Sequence, residues 1–299
     1  MRQAQPGLPA FEYECPDAYE DVYEILTKAS ADAVPFMGGT DLFVQMRDGV
    51  KKPHVLVDLK TLPGLKGIDE VDGGFLIGAA TTLNQVGEDE RVKEKLPLLC
   101  EAIEAIASYQ LRNRATIGGN LCNASPAADT APPLLVLEAV MVIVGPDGER
   151  KLPIKDYFKG PGKTALKAGE LLKAVFIPVP PEGYLGTYLK LGRNASGDLA
   201  IVGVAGLLLP NKDKPSGYEA RIALASVAPT PIRVPAAEAV LAEKGLNETG
   251  IPEAAALAME AAKPIDDTRA TAAYRKAMVR ALTKKVLEGL KEAKKEAGL

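Results

Sequence analysis

Two glycine doublets stand out by their company. Gly38-Gly39 lies in PFMGGTDL and Gly118-Gly119 in RATIGGNLCNASPAAD. A glycine permits positive φ and, lacking a β-carbon, lets a ligand approach the backbone. Peptide N–H groups left free in such a turn, or at a helix start, bind anions such as phosphate. Thr40, Thr116 and Asn120 stand ready to add side-chain hydrogen bonds, and Ser125, Asp129 and Thr130 follow the second doublet. The loops Phe36–Leu42 and Thr116–Asn120 contain no Lys or Arg. An anion bound there must therefore be neutralised by backbone N–H groups. The apolar residues Ile117 and Leu121 and the run Pro126-Ala127-Ala128 imply that the second loop folds into the interior. That pattern suits a ligand rich in phosphate, ribose and heteroaromatic edges better than acid–base chemistry.

The usual nucleotide fingerprints do not fit. No GK[ST] follows either doublet, which excludes a P-loop. The stretch VPFMGGTDLFVQMRDGVKKPHVLVDL reads as strand, helix, strand, with Asp58 near the position of a ribose-binding acid. The GxGxxG pattern is missing, however, and the helix is short for a crossover, so a Rossmann site is disfavoured. His54, the single histidine, sits at a strand start, where a structural role fits best. Cys15, Cys100 and Cys122 are odd in number, far apart and without a CxxC pair. They argue against a disulfide framework and against a zinc or iron–sulfur site in this chain.

The elements that must position the doublets follow from periodicity. DAYEDVYEILTKA has apolar residues at helical spacing. AVPFMGG reads as a buried strand ending in a turn, TDLFVQMRDG as a short helix closed by Gly49, and HVLVDL as a strand. GGFLIGAATTLNQV reads as strand, turn and helix start. LPLLCEAIEAIASYQLRNRA reads as one longer helix, TAPPLLVLEA as another, and VMVIVGPDGERKLPI as a hairpin. ELLKAVFIPVP, GYLGTYLKLG, LAIVGVAGLLLP and YEARIALASVAPTPIR read as strands. From Pro252 onward the composition shifts to Ala, Lys and Glu with helical periodicity. The chain is thus α+β, with a boundary near Pro180 and Pro181.

The 299 residues are 47% hydrophobic and 25% charged, with a formal charge of −3. That is ordinary for a globular protein. It lacks the basic surplus of a nucleic-acid binder. No stretch reaches the length of a membrane span, and the N-terminal segment has no apolar core of a signal peptide. A cytoplasmic location is expected.

With PFMGGTDL, IGAATTLNQV, LRNRATIGGNLCNASPAADTAPPLLVLEA and YLKLGR in this order, the chain resembles the FAD-binding (medium) subunit of molybdenum hydroxylases of the carbon monoxide dehydrogenase and xanthine dehydrogenase type. The C-terminal DDTRATAAYRKAMVRALTKKVL is similar to that family's terminal helices. The resemblance implies an FAD-binding fold of the vanillyl-alcohol-oxidase (PCMH) type. Two α+β subdomains, over 1–60 and 61–180, would hold FAD between them. A C-terminal domain over 181–299 would combine an antiparallel sheet with a helix bundle. By resemblance, both glycine loops approach the FAD diphosphate: Phe36, Met37, Gly38, Gly39, Thr40, Asp41 and Leu42 from one, Thr116, Ile117, Gly118, Gly119 and Asn120 from the other. Ser125 and Asp129 follow, with Asp129 matched to a position contacting ribitol or ribose hydroxyls. Thr81 and Thr82 match a loop lining the flavin. Lys190 matches a lysine close to the isoalloxazine, with Tyr188 nearby, and Leu172 flanks the adenine or ring system.

The implied function is electron transfer, with no catalytic residue in this chain beyond bound FAD. The implied partners are a small subunit carrying [2Fe–2S] clusters and a large molybdopterin subunit, in a dimer of heterotrimers, with NAD+ or another acceptor. Relatives acting on hydroxybenzoyl-CoA carry a cysteine-bearing insertion after the second glycine motif. Here Cys122 is followed at once by NASPAAD, so no metal cluster is expected and Cys122 reads as a small buried residue. One alternative is a self-standing FAD oxidoreductase, against which His54 counts because it lies outside any flavin-attachment motif. The other is a non-catalytic nucleotide-binding assembly module.

Overall fold

The computed structural model describes residues 7–29, 32–194 and 197–298. Its first sheet is parallel. β1 (Glu12–Glu14), β2 (Ala33–Phe36) and β3 (Val55–Asp58) pair in the order β1-β3-β2. Parallel neighbours need crossovers, and α1 (Tyr19–Ala29) and α2 (Leu42–Arg47) supply them. α1 buries Val22 and packs Tyr19, Tyr23, Ile25 and Leu26 on the core, as its 3.6-residue periodicity requires.

The second sheet is antiparallel. It contains β4 (Ile68–Val71), β5 (Gly74–Gly78), β6 (Val140–Gly145), β7 (Gly148–Pro153) and, beyond a small ribbon of β8 (Phe158–Gly160) and β9 (Lys163–Thr164), β10 (Leu171–Pro178). The order is β4-β5-β10-β6-β7. Between β5 and β6 runs a helical excursion: α3 (Leu83–Glu88), α4 (Glu90–Lys95), α5 (Pro97–Glu104), α6 (Tyr109–Arg112), α7 (Ile117–Asn123) and α8 (Ala131–Val136). The single helix expected over LPLLCEAIEAIASYQLRNRA is broken. α5 ends at Glu104, Ala107 takes φ 45, and Ser108 caps α6 by accepting the Leu111 N–H. A left-handed residue cannot continue an α-helix.

The third sheet, β11 (Leu185–Leu191), β12 (Val202–Pro210), β13 (Tyr218–Ala225) and β14 (Ile232–Arg233), is antiparallel in chain order. β12 explains its unbroken apolar sequence by being buried on both faces. Ala205, Leu207 and Leu209 join the core under the first two sheets, while Val202, Val204 and Leu208 face a second core. That core is closed by α9 (Pro235–Lys244), α10 (Gly250–Ala261) and α11 (Ala272–Glu296). Gly206 admits α11, since a β-carbon there would come within 2.6 Å of Val286 Cγ1. The helical C-terminus expected from Pro252 begins earlier, because α9 starts with Pro235 at its first turn, where the missing N–H is harmless. Among the described residues no helix is long and apolar enough to cross a membrane.

Two ties matter for the site. Glu101 of α5 accepts the Tyr188 N–H at 2.8 Å and the Thr187 hydroxyl at 3.0 Å, seating β11 against the helical excursion. Arg221 and Arg233 donate to the carbonyls of Val136 and Leu135 at the end of α8.

Candidate functional site

β2 ends at Phe36, and the chain turns through Gly38-Gly39 into α2. Gly39 takes φ 72, a conformation that favours glycine. Gly38 is required for a different reason: a β-carbon on it would lie 2.2 Å from the Arg114 carbonyl oxygen. The N–H groups of Gly38, Gly39, Thr40 and Asp41 donate to no protein acceptor among the described residues. They form a run of unclaimed donors at the C-terminal end of a parallel strand.

The second doublet opens α7, and its donors are already committed. Ile117 N–H binds the Thr81 carbonyl at 3.1 Å, Gly118 N–H the Ala79 carbonyl at 2.9 Å, and Gly119 N–H the Thr116 hydroxyl at 3.0 Å. A β-carbon on Gly118 would stand 2.5 Å from that of Ala79, so this glycine serves close backbone approach to β5's exit. Thr82 and Thr116 form an antiparallel bridge, and Thr82 caps α3 in a capping box with Gln85. Thr81 is buried with its hydroxyl held by Gly67. Ile117, Gly118, Thr81 and Thr82 thus brace the second loop from behind.

Between the loops lies a cavity of about 190 Å³. The whole first loop from Phe36 to Leu42 lines it, and Thr116, Gly119 and Asn120 face it from the second, with Leu172 of β10. The structure adds residues that sequence reasoning missed. Lys51 brings a cation to the wall, and Asn123 and Glu170 line it as well. Lys51 belongs to neither loop and reaches the cavity through the turn after α2, so the wall holds a cation besides the backbone N–H groups. No motif surrounds it. Glu170 is gripped by Arg150 through two 2.7 Å contacts, and the guanidinium holds its carboxyl below the usual range. Cys122 also lines the cavity; it is half-buried, with Sγ 3.2 Å from the Tyr157 hydroxyl, and burial pushes its thiol up to about 11. Asp58 is absent from the lining. It is buried and accepts from the Tyr13 hydroxyl and Lys60 Nζ, both at 2.6 Å.

A second constellation lies deeper. Lys190 Nζ donates to Asp129 Oδ2 at 2.8 Å and to the Ala105 carbonyl at 2.8 Å, while the Tyr188 hydroxyl donates to Asp129 Oδ1 at 2.6 Å. The Lys190 and Asp129 side chains are only 10% and 6% exposed, so this is a buried ion pair. Burial pushes the Asp129 carboxyl upward against the opposing pull of Lys190 and Tyr188, and it drives Tyr188 well above the ordinary phenol range. Lys190 also lines a separate opening beside Leu191 and Arg193. The two regions are joined: next to Asp129, Thr130 donates to the side-chain carbonyl of Asn120 at 2.6 Å. Ser125 is spent locally, accepting the Ala127 N–H at 3.2 Å.

The cavity offers free N–H groups and a lysine to an anion, and Phe36 and Leu172 to a ring. The residues present fit the diphosphate end of a dinucleotide, held by a fold other than Rossmann's. Residues 9–180 match the family described as FAD binding domain in molybdopterin dehydrogenase, and residues 187–290 match the CO dehydrogenase flavoprotein C-terminal domain. The chain belongs to the FAD-binding medium subunits of the molybdenum hydroxylase family. It is 36% identical to the carbon monoxide dehydrogenase medium chain of Afipia carboxidovorans, covering 96% of this chain and 98% of that one. It is 35% identical to the xanthine dehydrogenase FAD-binding subunit of Escherichia coli O157:H7, over 84% and 86% of the two chains. It superposes on the carbon monoxide dehydrogenase of Hydrogenophaga pseudoflava with a TM-score of 0.91 at 33% identity, covering 96% and 99%. Its relatives are oxidoreductase subunits, and FAD is its cofactor.

Proposed function

We propose that the cavity between the two glycine loops takes the FAD diphosphate and that the chain is the electron-transfer subunit of a cytoplasmic molybdenum hydroxylase. Its partners are a [2Fe–2S] subunit that delivers electrons and a molybdopterin subunit that oxidises the substrate, assembled as a dimer of heterotrimers, with NAD+ or another acceptor at the end. The observation that carries this reading is that Phe36–Leu42 and, remote in sequence, Thr116, Gly119 and Asn120 line one cavity. Bound FAD supplies the exchange between one-electron and two-electron carriers. The chain's own residues bind and tune. The N–H groups of Gly38 to Asp41 and the Lys51 ammonium neutralise the diphosphate. Gly119 leaves room at the wall. Asp129 and Lys190 place a compensated charge pair beside the isoalloxazine, with Tyr188 fixing the carboxylate. The working units are 1–60 and 61–180, which hold FAD between them, and 181–299, which carries Tyr188 and Lys190.

Isolation of the native complex tests the assignment. Mass spectrometry is expected to find an iron–sulfur subunit and a molybdopterin subunit beside this chain, with FAD equimolar to it. A chain that purifies alone and whose flavin is reduced directly by an organic substrate contradicts the reading.

A further inference from the structure

The first loop carries the unclaimed donors, yet a glycine doublet is the most pliable backbone available. Free donors serve an anion only if they are held toward it. Two carbonyls in the loop are fixed by the residues just after β3. Phe36 O accepts the Leu59 N–H at 3.1 Å, and Met37 O accepts Lys60 Nζ at 3.2 Å. In a planar trans peptide the C=O and the following N–H point in opposite directions. An ammonium anchored on Met37 O therefore fixes the Gly38 N–H on the far side. Met37 and Gly38 line the cavity and Lys60 does not, so Lys60 approaches the loop from behind.

Lys60 is itself clamped. Its Nζ lies 2.6 Å from Asp58 Oδ2 and 4.6 Å from the centroid of the Phe36 ring. Asp58, 4% exposed, also takes the Tyr13 hydroxyl at 2.6 Å and the Lys60 N–H at 3.0 Å. On its other flank the loop abuts the Arg114 carbonyl through Gly38.

We propose that Lys60 is a positioning residue for FAD: clamped by Asp58, it holds the Met37 carbonyl and so presents the Gly38 N–H to the diphosphate. This rests on the reading that the diphosphate binds at the first loop. Because Asp58 balances its charge, Lys60 contributes orientation rather than net attraction.

The test is FAD titration of the full-length chain after removal of its flavin, followed by flavin fluorescence at low and high salt. Lys60→Met is expected to raise the Kd roughly tenfold, and the part of that loss due to the unpaired Asp58 carboxylate is expected to shrink at high salt. Lys60→Arg, which keeps a cationic donor, is expected to lie closer to wild type than to Lys60→Met. The double variant Asp58→Asn/Lys60→Met is expected to stay weak, since the charge imbalance is gone but the carbonyl is still unheld. Recovery of wild-type affinity in the double variant overturns the proposal, because it would make the loss one of charge. Wild-type affinity in Lys60→Met, alongside lost affinity in Gly119→Val, overturns it while leaving the site reading intact. Should Lys60→Met fail to fold, the charge-neutral double variant decides alone: it is expected to weaken FAD, and an unchanged Kd overturns the proposal. A wild-type chain that takes up no FAD would instead overturn the reading of the site.

Discussion

Gly38 and Arg114 meet backbone to backbone: a β-carbon on Gly38 would lie 2.2 Å from the Arg114 carbonyl oxygen. The first glycine motif is therefore shaped by the chain leading into the second. The four doublet glycines divide by role. Gly38 and Gly118 allow backbone contact, Gly39 supplies positive φ, and Gly119 borders the cavity with only the Thr116 hydroxyl near its missing β-carbon.

That division predicts different outcomes for one chemical change. Gly38→Ala is expected to destabilise the fold by about 2–3 kcal/mol through overpacking. Gly119→Ala is expected to cost about 1 kcal/mol or less, the worth of the Thr116 cap it disturbs, while weakening FAD. Denaturant unfolding of the two variants checks this, and equal destabilisation would contradict it.

Lys51 stands at the cavity wall and differs from Lys60 in kind. Replacing it by Met removes a charge attraction to the diphosphate. The loss in FAD affinity is expected to be largest at low ionic strength and to shrink as salt is raised. A loss independent of salt would assign Lys51 a steric role.

The Lys190–Asp129 pair predicts a stability effect coupled to a redox effect. Lys190→Met leaves the Asp129 carboxylate buried with Tyr188 as its remaining side-chain partner. The expected cost is about 3 kcal/mol or more, because a broken buried pair leaves an uncompensated charge. The flavin potential is expected to fall, since a cation near the ring stabilises the reduced anionic form. Adding Asp129→Asn is expected to restore part of the stability. Potentiometry and denaturant unfolding read the two effects separately, and an unchanged potential would remove Lys190 from the flavin's surroundings.

Asp267 gives an acid-side prediction. Burial pushes its carboxyl upward, but the Arg269 and Ala270 N–H groups and the Arg275 guanidinium outweigh this and hold it at about 2, below its ordinary 3.8. A depressed folded pKa contributes stability that is complete above the unfolded value and is lost as pH falls through the folded one. Asp267→Asn is expected to lower Tm near neutral pH, and the gap to wild type is expected to close between about pH 4 and about pH 2. A gap that persists at the acid end would show that the carboxylate's charge is not what holds Arg275.

Much of this molecule is legible in its sequence, and the gaps have physical causes. Strands such as HVLVDL and LAIVGVAGLLLP declare themselves because burial on one or both faces leaves a periodic or continuous apolar trace. The glycine loops declare themselves because positive φ at Gly39 and close backbone contact at Gly38 and Gly118 leave no other residue for those positions. The break at Ala107 is hidden, since alanine favours a helix; the turn there is held by Arg112, which donates to the Glu104 and Ile106 carbonyls, and by Lys190, which donates to that of Ala105. α9 is hidden because PAAEAVLAEK has no strong apolar face. At the site, Lys51 and Glu170 carry no local signal, for they reach the cavity only once β2, α7 and β10 converge. Asp58 is the converse case. Its spacing from the first doublet suggests ribose recognition, whereas its carboxylate is spent on Tyr13 and Lys60. The free donors also divide unevenly, since the second doublet's N–H groups are consumed within the protein and those of the first are not.

The most direct measurement of the central claim, that one FAD lies between the two glycine loops, is the flavin content of purified Gly119→Val. The β-branched side chain would fill the wall where Thr116, Gly119 and Asn120 face the first loop. A folded, colourless chain is expected, with wild-type circular dichroism and no FAD retained. A folded variant that keeps FAD at the wild-type ratio would contradict it.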